Sequence, residues 1–539
     1  MPMTTSSHDA VTLQQLIDSS SSDELGRQLS KMVQNADNPD AIANTVFQDL
    51  RLDSRHVAGD DVFILLKSQT QQGQDDQKIR NYLSQAAQCA AFILSEIDPL
   101  AVFDNADVLP CPMLYVPNIR DFLGGLVHAR LQYQQPKALP TVVAVTGTNG
   151  KTTISQLVAQ LAQLAGMNSA VMGTAGNGKL GALTQASHTT GDALVVQQFL
   201  YQMGEQNADL LVLEASSHGL DQQRLQGVPV KVAIYTNLSR DHLDYHADMA
   251  EYVAAKAKLF DKTHFPTLTH AIINIDDEYA KVMIDTAQAS GLIVWTYSLR
   301  ADGSANEANF IATDIEPSLQ GVKIALRSAL DDSQFTDINI ISPLLGRFNV
   351  ANLLAAIAAA VALGISLERV ASLVPQLQGA IGRMQRVPSN DGCFIVDYAH
   401  TPDALTQVLD SLRTHCRGQL WAVFGCGGDR DAGKRPLMAQ AGLSGADQVI
   451  LTADNPRTES PNIILQDMQV GMSPEQYQRT HIEPARQQAI EYAVHHANDD
   501  DIVVIAGKGH ETYQEINGVR HDFDDSVILQ QALQQAGRI

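Results

Sequence analysis

Residues 141–153 read TVVAVTGTNGKTT, and this stretch decides the fold. The apolar, β-branched run at 141–145 predicts a buried strand. From Ile154 onward apolar residues recur at helical spacing as far as Ala165, and Gly166 then predicts the end of a helix. A strand, a glycine loop and a helix in this order are the context of a phosphate-binding loop in a parallel α/β sheet.

The glycine loop carries the groups that hold phosphates. Backbone N–H groups of residues 148–152 are expected to contact phosphate oxygens at a helix N-terminus. Lys151 adds a cation, and Thr152 or Thr153 adds a hydroxyl for Mg²⁺. The usual pattern G-x-x-x-x-G-K-[ST] needs glycine where this chain has Val145, so the loop is a shortened variant. The alternative is a glycine turn with a surface lysine, which the flanking strand and helix disfavour. The expected nucleotide-binding residues are Gly147, Thr148, Asn149, Gly150, Lys151, Thr152 and Thr153.

Length and composition indicate a large, acidic, globular protein. Its 539 residues exceed the ~250–300 at which one core usually splits into several domains. A net charge of −23 repels phosphate backbones, so no nucleic-acid partner is expected. The five cysteines form no CxxC pair, which favours reduced thiols over disulfides or a zinc site. The N-terminus lacks an apolar signal core, and the most apolar stretch, residues 355–365, is too short to cross a bilayer. A cytoplasmic protein without a membrane partner is expected.

Polar residues follow further predicted strands in the middle of the chain. Glu214 comes directly after the run 210–213, where a carboxylate beside a phosphate loop suits Mg²⁺, although acids end many strands. Asp241 and His242 follow the run 230–235 and are candidates to ligate metal or orient phosphate, a solvated loop being the alternative. Asn349 and Asn352 share one face of an alanine-rich helix at about 350–363. There an amide can pair with an adenine edge or cap the helix.

A second α/β pattern begins after about residue 379. Its predicted strands each run into a polar cluster, and they lie at residues 394–396, 420–424, 449–451 and 502–505. Ligands of parallel sheets bind outside the carboxyl ends of the strands, so these clusters predict one site on one rim. Two arginines, Arg430 and Arg457, and two acids, Asp454 and Glu511, suit a substrate with carboxylates and amines. A set of surface salt bridges is the alternative.

Eight motifs in collinear order resemble the Mur ligases. They are TGTNGKTT (146–153), EASSHGLDQQR (214–224), TNLSRDHLDYH (236–246), GRFNVANLL (346–354), DYAHTPDAL (397–405), GCGGDRDAGKRP (425–436), DNPRTESP (454–461) and GKGHE (507–511). The resemblance covers the chain from about residue 50 to the C-terminus. It implies a three-domain α/β Mur ligase architecture. By the resemblance, residues 1–138 would form an N-terminal UDP-precursor-binding domain, 139–378 a central P-loop-type ATPase domain, and 379–539 a C-terminal Rossmann-like amino-acid-binding domain. No strong element is expected before residue 38, and residues 132–137 are expected to form a linker.

The resemblance also implies the chemistry and the small-molecule partners. ATP, with Mg²⁺, phosphorylates the D-glutamate γ-carboxylate of UDP-MurNAc-L-Ala-D-Glu. The amine of meso-diaminopimelate then attacks the acyl phosphate, releasing phosphate, in peptidoglycan precursor synthesis by a monomeric enzyme. Lys151 and Mg²⁺ would neutralise charge on the transferring phosphoryl group.

By position in the motifs, the resemblance assigns roles to individual residues. Lys151, Glu214, His242 and Lys256 would be catalytic, Lys256 as a carbamylated lysine in place of an ordinary surface lysine. The magnesium ligands would be Thr152, Glu214, His242 and Lys256, and the further nucleotide contacts Asn349, Arg383 and Asp397. The precursor would contact Leu52, Ser54, Thr189, Thr190, Ser216, Gln222 and Arg224. Diaminopimelate would contact Arg430, Asp454, Asn455, Pro456, Arg457, Gly507 and Glu511.

Two departures and three rival functions bear on this interpretation. A longer polar stretch follows residues 65–70 where family members usually have a glycine turn, and His188 stands where many carry Asn.

A folylpolyglutamate synthetase shares the ATP loop, but the motifs DNPR and GKGHE disfavour it. A P-loop regulatory or motor ATPase would hydrolyse nucleotide without precursor. A non-catalytic binding module does not account for Lys151, Glu214 and His242 together. Arg457 predicts diaminopimelate over lysine, which lacks the second carboxylate.

Overall fold

The computed structural model describes residues 9–20, 23–36, 38–68, 75–103, 109–133, 135–186, 188–243, 245–300, 308–331 and 334–539. Within these limits the chain divides into two compact units. The first comprises residues 1–151, 166–273 and 277–294, and the second residues 152–165, 274–276 and 295–539. In the described part of the chain, no helix combines the length and the apolar character needed to cross a membrane.

The N-terminal part of the first unit is built on a small parallel sheet. Strands β3, β4, β5 and β6 pair in sequential order, and β1 pairs with β2 antiparallel. The elements are β1 (Val11–Thr12), α1 (Leu13–Ser19), α2 (Glu24–Gln34), α3 (Pro39–Asn44), β2 (Val46–Phe47), β3 (Leu50–Arg51), β4 (Val62–Leu65), α4 (Asp76–Ala86), β5 (Phe92–Ser95), β6 (Met113–Tyr115) and α5 (Leu123–Gln132). The expected linker at 132–137 therefore begins at the last residue of α5. Residues 69–74, in the divergent stretch, lie outside the described residues.

The expectation that no element precedes residue 38 is wrong. Helix α1 begins with a capping box in which Thr12 and Gln15 exchange backbone and side-chain hydrogen bonds. On α2, Leu29, Met32 and Val33 are buried at helical spacing in the N-terminal core. The polar residues of α2 cover its other face, so the composition concealed an amphipathic stripe.

The middle of the chain contributes a parallel sheet to the first unit and a meander to the second. In the first unit the order is β12-β11-β7-β10-β8-β9, with all but β9 parallel; in the second, β14, β15 and β16 form an antiparallel meander. The elements are β7 (Thr141–Thr146), α6 (Lys151–Leu164), β8 (Ser169–Gly173), β9 (Gly176–Lys179), α7 (Ala193–Glu205), β10 (Leu210–Glu214), α8 (Ser217–Asp221), β11 (Val230–Tyr235), α9 (Met249–Ala257), β12 (His270–Asn274), α10 (Ala280–Ala289), β13 (Ile293–Ser298), β14 (Phe310–Ser318), β15 (Gly321–Asp331), β16 (Gln334–Ser342), α11 (Arg347–Ala362) and α12 (Leu367–Leu373).

The predicted strand, glycine loop and helix are confirmed as β7, residues 147–150 and α6. Strand β7 lies between β10 and β11, and all three are parallel. The glycine loop, Glu214 and the segment after Tyr235 therefore follow the carboxyl ends of three adjacent strands. This placement explains why polar residues far apart in sequence meet at one edge of the sheet.

The C-terminal part of the second unit is a Rossmann-like layer structure. Its sheet has the order β17-β18-β22-β19-β20-β21, parallel except for β17. Helices α13, α14 and α15 contribute to the core on one face, and α17 and α18 to the core on the other. The elements are β17 (Gln385–Val387), β18 (Cys393–Asp397), α13 (Pro402–Arg413), β19 (Leu420–Phe424), α14 (Lys434–Gly445), β20 (Gln448–Leu451), α15 (Pro461–Met468), α16 (Pro474–Gln478), β21 (Thr480–Ile482), α17 (Arg486–His496), β22 (Ile502–Ala506), β23 (Tyr513–Ile516), β24 (Val519–Asp522) and α18 (Asp525–Gln535).

The four strands that precede polar clusters, β18, β22, β19 and β20, are consecutive in this sheet and parallel. The prediction of a single rim is thus confirmed. Each of the three predicted regions of the chain has its own set of paired strands, while the boundaries at 138/139 and 378/379 stay predictions.

Candidate active site

The glycine loop is held by the segment that follows β11. Gly147 has a φ of 149°, and a Cβ atom there would come within 1.8 Å of Thr236 Oγ1, so no larger residue fits. The N–H groups of Thr148 and Asn149 donate to Asn237 O at 2.8 Å and Asn237 Oδ1 at 3.0 Å. Of the N–H groups at 148–152 expected to contact phosphate, these two are bonded to Asn237 in the structure. The backbone N–H groups that remain available to contact phosphate are those after Asn149.

Two lysines meet at the carbonyl oxygen of Gly147. Lys151 Nζ donates to Gly147 O and to Thr148 O, both at 2.9 Å, and Lys256 Nζ donates to Gly147 O at 2.9 Å. Lys256 is 1% exposed, so the alternative of a surface lysine is wrong. Burial, and then the charge of Lys151, lower the pKa of Lys256 well below its usual value. A neutral amine at this position can react with CO₂, as carbamylation requires.

Tyr252 is a site residue that the sequence did not reveal. Its ring lies 4.8 Å from Lys256 Nζ, and its hydroxyl is 3.0 Å from Thr148 Oγ1. Burial raises the pKa of Tyr252 to about 12, so its hydroxyl stays protonated. Residues 252 and 256 are one turn apart on α9, and this spacing was the available signal.

Glu214 is fixed by a residue from the neighbouring strand. Thr174, directly after β8, donates its N–H to Glu214 Oε1 at 2.9 Å and its hydroxyl to Oε2 at 3.2 Å. Thr174 Oγ1 also lies 3.0 Å from Thr189 Oγ1. Glu214 is 2% exposed. Thr174 was missed because it belongs to none of the recognised motifs.

The structure brings five of the expected precursor contacts into one network. The Thr190 hydroxyl donates to Glu214 O at 2.7 Å and accepts the Ser216 N–H at 3.0 Å. Arg224 donates to Thr190 O at 2.9 Å and, through two nitrogens, to Gln222 Oε1. Thr189 joins through Thr174. A hydrogen-bonded network of this kind presents one fixed cation, Arg224, with oriented hydroxyls and amides beside Glu214.

Two expected precursor contacts, Leu52 and Ser54, lie apart from this network. Leu52 packs against the N-terminal core, and the Ser54 hydroxyl donates to Gln85 Oε1 at 3.0 Å. No hydrogen bond among the described residues joins Leu52 or Ser54 to Arg224. His188, where many family members carry Asn, is exposed.

His242 occupies a strained turn. Its φ is 54°, which a residue with a Cβ rarely adopts, and its N–H donates to Asp241 Oδ1 at 2.8 Å. The ring packs edge-on against His218 at 5.0 Å. Among the described residues, no three His, Cys, Asp or Glu side chains converge on one point.

Asn349, an expected nucleotide contact in the second unit, is hydrogen-bonded within the protein. Asn349 Nδ2 donates to Leu345 O at 2.8 Å, and its Oδ1 accepts from Asn352 at 3.1 Å. The N-cap of α11 is Gly346, so the alternative that Asn349 caps the helix is wrong. The amide is instead locked in one orientation.

Asp397, the last residue of β18, binds the backbone next to Arg383. The two oxygens of Asp397 accept the N–H groups of Met384 and Ala399, both at 2.7 Å, and burial raises the pKa of this carboxyl. Arg383 lies over the ring of Tyr398 at 4.6 Å. Asp397 thus fixes the backbone that presents Arg383.

The rim of the C-terminal sheet gathers the expected amino-acid contacts. Asn455 Nδ2 donates to Glu511 Oε2 at 2.9 Å, and a Cβ atom on Gly507 would come within 2.5 Å of Asp454 Oδ2. Pro456 is buried between Asn455 and Arg457, and Arg430 is exposed on the loop after β19. These contacts join the loops after β20 and β22.

Arg457 is fixed by contacts with the loop after β19 and with β23. Its φ is 51°, its Nη1 donates to Gly428 O at 2.8 Å, and its Nε lies 3.8 Å from Glu515 Oε2. Within the described part of the chain, neither Arg430 nor Arg457 forms an ion pair with Asp454 or Glu511. Arg457 instead lies beside Glu515, and Glu511 pairs with Lys508, so the alternative of salt bridges at this rim is present in part.

Two buried cations at this rim were missed from the sequence. Arg486 is fully buried and donates to both oxygens of Asp525, to Ala453 O at 3.3 Å and to Ala506 O at 3.0 Å. Lys508 is likewise buried and contacts Asn455 and Glu511. No periodicity marks these residues, because their partners come from distant strands.

Comparison with known protein families agrees with this geometry. Residues 145–360 match the Mur ligase middle domain, and residues 382–509 match the Mur ligase, glutamate ligase domain.

The chain belongs to the Mur ligase family.

A relative from Pseudomonas aeruginosa, named UDP-N-acetylmuramoyl-L-alanyl-D-glutamate–2,6-diaminopimelate ligase, is 42% identical over 501 residues, covering 92% of this chain and 96% of the relative. A solved structure of an enzyme with that name is 44% identical, with a TM-score of 0.70, and the match covers 92% of this chain and 97% of that one. The expected α/β Mur ligase fold is confirmed. A solved structure of the folylpolyglutamate synthase of Mycobacterium tuberculosis in complex with ADP is 16% identical, with a TM-score of 0.54. The match covers 78% of this chain and 94% of that one, and it shows a shared fold alone.

Membership in the Mur ligase family also decides between the rival functions. The chain is an ATP-dependent ligase, which excludes a motor or regulatory ATPase and a non-catalytic binding module.

Proposed function

We propose that this Mur ligase joins meso-2,6-diaminopimelate to the D-glutamate γ-carboxylate of UDP-MurNAc-L-Ala-D-Glu, with ATP as the energy source. The observation that carries the phosphoryl-transfer step is the meeting of Lys151 and Lys256 at Gly147 O. Lys151 supplies the positive charge beside the glycine loop, and the neutral amine of Lys256 at the same acceptor is the group that can be carbamylated. The two groups that react there, the ATP phosphates and the D-glutamate γ-carboxylate, would both be anionic.

The residues of the first unit would carry the phosphoryl transfer. Lys151 would contact the outer phosphates of ATP. It would stabilise the negative charge that develops as the γ-phosphoryl group passes to the glutamate oxygen. Carbamylation would convert Lys256 from a buried amine into an anion with two oxygens. Tyr252 and Gly147 O would then fix that group.

Magnesium fits the oxygen donors available here. Mg²⁺ prefers one or two carboxylates together with phosphates and water, and Glu214 and a carbamylated Lys256 would supply carboxylate-like oxygens. Thr152 would add a hydroxyl, and His242 would add a nitrogen. The ion, when bound, would neutralise phosphate charge. Thr174 would keep the Glu214 carboxylate in the direction the ion needs.

The precursor would be held by the network around Arg224. Its guanidinium would pair with a carboxylate or phosphate of the precursor, while Thr189, Thr190 and Ser216 orient polar groups of the peptide. We propose that Leu52 and Ser54 contact the uridine end. Asn349, Arg383 and Asp397 would serve the nucleotide of ATP.

The rim of the C-terminal sheet would bind the amino acid. Arg457 would pair with the carboxylate at the far end of diaminopimelate, and Asp454 and Glu511 would accept hydrogen bonds from its ammonium. Arg430 and the backbone at Asn455, Pro456 and Gly507 would complete the contacts. The free amine would attack the acyl phosphate, form the new amide bond and release phosphate.

The direct test is phosphate release by the purified protein. We expect turnover only when ATP, UDP-MurNAc-L-Ala-D-Glu and meso-diaminopimelate are all present, and roughly 10⁴-fold less with L-lysine, because lysine lacks the second carboxylate that Arg457 would bind. Equal phosphate release with L-lysine would contradict the choice of amino acid. Phosphate release from ATP alone would contradict the ligase.

Arg457→Ala should lower the apparent affinity for diaminopimelate by about 100-fold, the usual effect of losing a charge-assisted hydrogen-bond pair. The KM for ATP should stay unchanged, because the glycine loop is intact. Arg417→Ala is a matched control, since Arg417 is an exposed arginine of the same unit. A parallel rise of both KM values would assign Arg457 to the fold instead of to the substrate.

We also propose that the enzyme acts in the cytoplasm as a monomer. All the proposed substrates are small molecules, and the five cysteines are free thiols, as a reducing compartment favours.

A further inference from the structure

Lys508 is a buried cation that the reaction does not use. Its side chain is 0% exposed, and its Nζ donates to Asn455 Oδ1 and Glu511 Oε2, both at 3.2 Å. The ring of Tyr513 lies 5.4 Å from Nζ. Taking an ammonium out of water costs free energy unless its partners are well placed. A cation in this position therefore points to a role in organising the two side chains that it contacts.

The contacts of Asn455 leave its amide a single orientation. Its Oδ1 accepts from Lys508 and from the Glu515 N–H at 2.9 Å, so its Nδ2 is directed at Glu511 Oε2, 2.9 Å away. An inverted amide would place its NH₂ group against two donors. Lys508 and the Glu515 N–H together determine which end of Asn455 meets Glu511.

The same contacts give the two oxygens of Glu511 different surroundings. Oε2 accepts from both Asn455 and Lys508, whereas Oε1 has no hydrogen-bond donor among the described residues. The Glu511 side chain is 22% exposed. A carboxylate with one oxygen anchored and the other open is ready to accept a hydrogen bond from a substrate ammonium.

We propose that Lys508 is a positioning residue for amino-acid specificity: it anchors Glu511 and Asn455 so that Glu511 Oε1 receives the ammonium group of the incoming amino acid. This inference rests on the proposed function of the rim. Lys508 acts through Glu511 and touches no substrate atom. Its loss would free the Glu511 carboxylate to rotate and would weaken binding of the amino acid without disturbing ATP.

The test compares Lys508→Met, Glu511→Gln and the double variant in the phosphate-release assay. We expect Lys508→Met to raise the KM for diaminopimelate about 10- to 100-fold, the range found for residues that support a ligand-binding group. The KM values for ATP and the precursor should stay within about twofold. Since Lys508 acts through Glu511, the double variant should be no worse than Glu511→Gln alone. Lys323→Met, an exposed lysine of the same unit, is the matched control.

Three results would overturn the proposal. They are an unchanged KM for diaminopimelate, independent effects that multiply in the double variant, or an equal rise of all three KM values, which indicates a purely structural role. Thermal unfolding and ATP binding report whether Lys508→Met folds, and Lys508→Gln, which keeps one donor, should give an intermediate KM. Wild-type enzyme is measured first, so that a failure of the proposed reaction is seen before any variant is compared.

Discussion

Lys256→Ala should lower kcat by at least about 10³-fold. The substitution removes one of the two amines at Gly147 O and, with it, the carbamate that would place the metal. Loss of a single preorganised electrostatic group commonly costs about 10²–10³-fold, and here the anion is lost together with the ion that it holds. Single-turnover phosphate release with all three substrates measures the effect on the chemical step.

A small carboxylate should partly restore the activity of Lys256→Ala. Formate or acetate can occupy the space left by the side chain and supply the two oxygens of a carbamate. Lys231→Ala, an exposed lysine on β11 of the same unit, is the control and should show neither the loss nor the rescue. Near-normal activity of Lys256→Ala, or an unmodified Lys256 amine in a high-resolution map of active enzyme, would contradict the carbamate role.

Arg486→Met should reduce the free energy of unfolding of the second unit by about 3–5 kcal/mol. The substitution leaves the fully buried Asp525 carboxylate without a cation, and it removes the donors to Ala453 O and Ala506 O. Both tryptophans, Trp295 and Trp421, lie in the second unit, so tryptophan fluorescence during denaturant unfolding reports on this unit alone.

The double variant Arg486→Met with Asp525→Leu separates the unpaired charge from the lost packing. It should regain much of the stability, because neither charge is then buried. Arg327→Met is the control, since it breaks an ion pair whose side chains are 43% and 63% exposed and should change stability far less. If Arg486→Met were as stable as Arg327→Met, the buried pair would not be what holds these strand ends.

The glycine-loop region was readable from the sequence because strand β7, Gly147 and α6 follow one another without interruption. The contact that confines Gly147, with Thr236, comes from a distant segment and was not part of that signal. The rim of the C-terminal sheet was also readable, because each polar cluster there follows its own apolar run. Parallel pairing then necessarily places those clusters on one edge.

Other features were hidden because they depend on partners far along the chain. Lys256 looked like a surface lysine on a helix, and only its burial against Gly147 O shifts its pKa. Thr174 follows a strand without a motif, yet it orients Glu214 from 40 residues away. The helices α1 and α2 were missed for a different reason, since the apolar stripe of α2 is narrow within a polar composition.

By itself the sequence determined the family, the phosphate loop and the strands that lead into polar clusters, since these follow from short-range pattern and from residues at fixed spacing. Only the tertiary structure decided which polar groups are buried and what they contact. Lys508 shows the reason: within GKGHE it is one more lysine, and its role arises only when Asn455, from another strand end, is folded against it. Burial and pairing are properties of distant chain segments in contact, so no local pattern encodes them.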